Sequence, residues 1–100
     1  MELGDLVQLD MYNVELSPSL SHCIETVANE EYWRSVNQYM ESEQKDRMLE
    51  QKIELLKAFL ELMDFKKLRR ESERCLVEGK MVKFTIYWKR DKPHYEMTIS

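Results

Sequence analysis

Glycine and proline are scarce: only Gly4, Gly79, Pro18 and Pro93 punctuate 100 residues. Long loops are therefore few, and a glycine-rich phosphate cradle has no residues to build it. Cysteine is equally sparse, with Cys23 and Cys75 alone, which excludes a disulfide scaffold. No apolar run approaches the ~20 residues of a membrane helix. The acidic opening Met1-Glu2-Leu3-Gly4-Asp5 lacks the basic and apolar parts of a secretory signal. The expectation is a cytoplasmic protein with reduced thiols and no contact with a membrane. Soft metal donors number four, His22, Cys23, Cys75 and His94, and none forms the C-x₂-C type of pair that orients two ligands from one turn. Neither a metal nor another cofactor is expected.

What remains is an ordinary soluble composition, 43% hydrophobic and 34% charged, enough for one domain with a two-layer core. The net charge of −4 hides an asymmetry. Residues 1–63 hold 5 basic and 13 acidic side chains, residues 64–100 hold 10 and 6. An acidic first part facing a basic second part is most simply an internal match, and it also suits self-association or an acidic partner.

Residues 6–12 alternate, with Val7, Leu9 and Met11 on one side, and predict a short strand. Ser17-Pro18 has the chemistry of a helix start. From there Leu20, Ile24, Val27, Ala28, Tyr32, Val36 and Met40 recur at helical spacing, as one helix to about residue 40 or two broken at Asn29. The polar stretch 41–46 marks a boundary. A second helix follows, with a stripe of Leu49, Ile53, Leu56, Leu60 and Met63 widened by Leu55, Phe59 and Leu62. Phe65, Leu68, Cys75 and Leu76 then line one side of a basic segment that stops at Gly79, either a continuation or a third helix capped by Asp64.

Two alternating runs flank Arg90-Asp91-Lys92-Pro93 and predict a β-hairpin. A four-residue loop pairs Lys89 with His94, Trp88 with Tyr95, Ile86 with Met97 and Phe84 with Ile99, collecting the large apolar residues on one face. The polar face then carries Lys83, Thr85, Tyr87, Lys89, His94, Glu96 and Thr98. A lone hairpin is marginal in water, so it must cover the helices or join the N-terminal strand, and any edge left free invites pairing with another chain. The fold expectation is α+β: two or three amphipathic helices on a C-terminal antiparallel hairpin, with a short N-terminal strand.

Function is less legible. The group Tyr87, Lys89, His94 and Glu96 gathers proton-active side chains on one surface, but a solvated sheet face explains it as well, and no nucleophile–base spacing accompanies it. No catalytic residue and no enzyme activity are expected. The basic cluster Lys66, Lys67, Arg69, Arg70 and Arg74, followed by Lys89, Arg90 and Lys92 at the hairpin tip, resembles the helix, turn and wing that end a winged helix. That resemblance covers about a third of the chain and implies a nucleic-acid-binding regulator using Arg69, Arg70, Arg74, Lys89, Arg90 and Lys92. Glu71, Glu73 and Glu78 stand where they can pair with those bases on an ordinary solvated helix, and the acidic first part repels phosphate. Trp33 and Tyr39 point away from the best stripe of the first helix, and with Tyr87 they are the candidate anchors for a partner. Seven methionines add adaptable apolar surface. The leading expectation is a non-enzymatic protein-interaction module or small homodimeric adaptor.

Overall fold

The computed structural model describes residues 13–44 and 47–100. The predicted strand at 6–12 lies outside these residues. A strand is present just beyond it, β1 (Val14–Leu16), followed by the helices α1 (Ile24–Glu41), α2 (Arg47–Leu62) and α3 (Phe65–Val77) and the strands β2 (Val82–Lys89) and β3 (Lys92–Ile99). The three strands form one antiparallel sheet in the order β1-β2-β3, so the fold is α+β with a C-terminal hairpin.

The helices begin and end for identifiable reasons, one of them not where the sequence suggested. Ser17-Pro18 does not open α1. Ser19 spends its hydroxyl on the amides of Ser21 and His22, at 3.2 Å each, and its backbone closes a turn with His22. The chain is thereby bent away from helix until Cys23 caps α1. Asn29 does not interrupt that helix, which runs unbroken to Glu41. Ser42 serves as its C-cap, its N–H donating back to Gln38 and Tyr39. Asp64 does cap a separate third helix, its carboxylate accepting from the Lys67 amide. At the other end of α3 the amide of Gly79 donates to Leu76 and that of Lys80 to Cys75, both at 3.0 Å. This is a Schellman stop, and Gly79 at φ +83° occupies the left-handed position it requires.

The hairpin differs from its predicted register by two residues. Arg90 and Asp91 both take positive φ, 54° and 62°, so the chain reverses in two residues, as in a type I′ turn. Lys89 then faces Lys92, Ile86 faces Tyr95, Phe84 faces Met97 and Val82 faces Ile99. A two-residue loop matches the right-handed twist of the strands, which the four-residue loop did not account for. Because the shift is even, every side chain keeps its expected face.

One face of the sheet is the floor of the core. Val14, Leu16, Val82, Phe84 and Ile86 from the strands meet Ile24 and Ala28 of α1, Leu55, Leu56 and Phe59 of α2, and Leu68 and Cys75 of α3, all buried. Phe59 also meets Phe65 edge-on at 5.5 Å, joining α2 to α3 across Asp64. Leu20 and Leu62, both placed on helix stripes from the sequence, are instead 74% and 64% exposed. Leu20 precedes α1, and Leu62 ends α2.

Candidate interaction surfaces

The sequence-derived partner anchors do not form one surface. Trp33 is exposed on α1, with its ring set edge-on to Tyr32 at 5.2 Å. Tyr39, six residues further on, is engaged within the molecule: its hydroxyl donates to the Glu50 carboxylate at 3.0 Å, tying α1 to α2. Partial desolvation, that hydrogen bond and the carboxylate's charge all raise its pKa above the ordinary value. Tyr87 lies on the polar outer face of the sheet, stacked against His94 at 6.0 Å. The sheet separates it from the helices that carry the other two.

The basic candidates are also divided. Arg69, Arg70 and Arg74 are exposed on α3. Arg69 donates to Glu73 at 2.9 Å, and that bond, with the nearby charges of Glu73, Cys23 and Glu25, raises its pKa. Lys89, Arg90 and Lys92 are exposed at the closed end of the hairpin. The eight residues of β2 separate that tip from the end of α3, a span of ~26 Å. Lys83 of the basic part meets Glu15 of the acidic part across β2 and β1 at 3.6 Å. Within the acidic part, Lys52 bridges α2 to Glu31 of α1 at 2.6 Å.

The two cysteines are unbridged, Cys75 buried and Cys23 half-buried. Cys23 stands at the N-cap of α1, and its sulfur lies 3.3 Å from the Thr26 hydroxyl. That hydrogen bond, further bonds from the first turn and the charge of Arg69 outweigh partial burial and lower its pKa. Among the described residues no group of three or more His, Cys, Asp or Glu is placed to hold a metal ion. No helix among them is long and apolar enough to cross a membrane.

A feature the sequence reading missed lies at the open end of the hairpin. There a groove of about 540 Å³ runs between the turn before α1 and the end of α3, lined by Pro18, Leu20, Leu76, Met81, Val82 and Thr98 among others. Met81 is 75% exposed and Leu20 74%, while Val77, beside Leu76, is 77% exposed. Single exposed apolar residues are commonplace, but here Leu20 and Met81 lie on the walls of one concavity. The signal was present in the hairpin alternation. Met81 has the parity of Lys83, Thr85 and Tyr87, so a large apolar residue falls on the polar face of the sheet.

Compared with known proteins, the chain matches a protein-family model over residues 12–95, and it belongs to that family. The matched span runs from the residue before Asn13 through β1, all three helices and most of the hairpin. No curated protein and no solved structure matches it.

Proposed function

We propose that this member of the family is a non-enzymatic protein-interaction module that receives an apolar segment of another protein in the groove at the open end of its hairpin. The supporting observation is the exposure of Leu20 and Met81, 74% and 75%, around a concavity of about 540 Å³. Exposed apolar side chains on the walls of a preformed cleft gain the most from being covered, because the cleft supplies contacts on several sides. Lys80 and Lys83 on its rim are already matched by Glu78 and Glu15, so the groove itself offers chiefly apolar area.

The test compares proteins retained from an extract of the source cells by the wild-type chain with those retained by Leu20→Glu and Met81→Glu. The expected result is a defined protein held by the wild type and released by both variants, with unchanged circular dichroism. Identical retention by all three would overturn the reading. A parallel titration with mixed-sequence duplex DNA at two salt concentrations addresses the winged-helix-like alternative. That alternative draws support from the α3, Gly79 and hairpin sequence of elements and from the exposed Arg70, Arg74 and tip residues. Affinity that falls steeply with salt, and that is lost when Arg69, Arg70 and Arg74 become Glu, would replace the interaction-module reading.

A further inference from the structure

The backbone of β3 has an inner and an outer edge, and the register determines which residues serve each. Met81 and Ser100 exchange two hydrogen bonds of 2.9 Å just beyond the strand ends. In an antiparallel ladder such exchanging pairs alternate with non-bonded ones. Lys83 with Thr98, Thr85 with Glu96, Tyr87 with His94 and Lys89 with Lys92 are therefore the exchanging pairs. The N–H and C=O groups of Tyr95, Met97 and Ile99 consequently point outward, away from β2. Pro93 follows the same parity, so its missing N–H falls on the outer edge and costs the hairpin nothing.

Among the described residues, no strand lies beyond β3 in the sheet. Natural sheets blunt such edges with lysine, proline or inward-pointing charge. Here Lys92 and Pro93 protect the first part of the strand. From Tyr95 to Ile99 only Glu96 carries charge, and it points to the outer face. The unprotected part is also the most open, with Ile99 42% exposed.

We propose that this edge is the self-association surface of the chain: a second copy adds its own β3 antiparallel across a two-fold axis centred on Met97. The proposal rests on the reading of the protein as an interaction module and names one partner and one surface for it. The centre is chosen by complementarity. With Met97 facing itself, Tyr95 faces Ile99 of the second copy on the helix side, while Glu96 faces Thr98 and His94 faces Ser100 on the outer side. The apolar and polar faces of the sheet each continue across the axis, no like charges meet, and the outward groups of Tyr95, Met97 and Ile99 all find partners. Centring on Glu96 instead sets two carboxylates directly opposite each other. Centring on Tyr95 wastes bonds on Pro93, which has no N–H to give. The result is a six-stranded sheet joined by a short seam, an association of the weak, concentration-dependent class.

Sedimentation velocity on the full chain tests this across a wide concentration range. The wild type is expected to pass from monomer to dimer. Ile99→Pro removes an outward N–H without touching the ladder to β2, and should weaken the dimer at least about tenfold at unchanged circular dichroism. Thr98→Glu places a carboxylate opposite Glu96 of the second copy and should weaken it most at low salt. The double variant Thr98→Glu/Glu96→Lys should restore association, since opposite charges then face each other. A wild type that stays monomeric up to millimolar concentration, or a dimer that none of these variants shifts, would overturn the proposal. Should Ile99→Pro fail to fold, the exposed Thr98 pair decides alone. Failure here with groove-dependent partner retention intact would leave the interaction-module reading standing. Loss of that retention signal beside a register-dependent dimer would do the reverse.

Discussion

The closed and open ends of the β2–β3 hairpin are built on opposite principles. At the closed end the chain reverses within Arg90 and Asp91, and Lys89, Arg90, Asp91 and Lys92 leave only polar groups in water. At the open end the strands stop against Gly79, Met81 and Ser100, and Leu20, Val77 and Met81 remain largely uncovered. The closed end accepts backbone strain, two non-glycine residues at positive φ, in exchange for a tight turn. The open end uses glycine at its left-handed position and is unstrained, yet it exposes apolar surface. Strain is concentrated at the closed end, and uncovered apolar area at the open one.

The largest test of this contrast removes the layer that both ends share. Phe84→Ala deletes a fully buried ring at the centre of β2 and should cost about 3–5 kcal/mol of stability, read from denaturant unfolding. Both ends should then melt together. A surviving hairpin would show that they are independent. Gly79→Ala comes next. Nothing lies within 4 Å of the added methyl group, so the cost is backbone strain alone, about 1–2 kcal/mol, with no change in the closed end. Asp91→Gly acts oppositely at the other turn, relieving a positive φ of 62°, and should raise stability by up to about 1 kcal/mol. If both glycine exchanges had the same sign, the contrast in strain would be lost. Leu20→Ser and Met81→Ser should move stability by less than about 0.5 kcal/mol, because neither side chain is substantially buried.

The smallest expected effect is a titration beside the open end, at Cys23. Its pKa is lowered from 9.0, so the folded chain favours the thiolate. The linked stabilisation is fully present above pH 9.0 and is lost as pH falls through the folded value. Alkylation of Cys23, followed by mass spectrometry against pH, should show a midpoint below 9.0 that Thr26→Ala moves upward. Buried Cys75 should react only as the protein unfolds. A common profile for the two thiols would count against the local arrangement at the start of α1.

Where local chemistry decides, the sequence was a good guide. Gly79 and Asp64 mark helix ends because their side chains, or lack of one, satisfy backbone groups within the same turn. The faces of the hairpin followed from alternation alone, and the two-residue error in register did not disturb them because parity survives an even shift. The turn itself was misread because Arg90-Asp91 lacks the Asn-Gly composition that usually announces positive φ. Tertiary choices were hidden. The Ser19 hydroxyl delays α1 by bonding to amides that a helix starting at Pro18 would have used otherwise. Tyr39 reads as a free anchor on a helical wheel, but a partner eleven residues away claims its hydroxyl. Of the three base–acid spacings on α3, Arg69 with Glu73 is formed, while Glu78 pairs instead with Lys80 beyond the helix. The groove escaped notice because Leu20 suited a helical stripe and Met81 was not placed in the hairpin pattern.

β2 receives its two neighbours from very different distances along the chain. β3 arrives through a two-residue turn, whereas Val14 of β1 must find Ile86 after the chain has passed through three helices. Closing so long a loop costs entropy that only a preassembled surface can offset. On contact order alone, the hairpin and the helix contacts are expected to form before β1 docks. Until it does, the central strand of the mature sheet is itself an open edge.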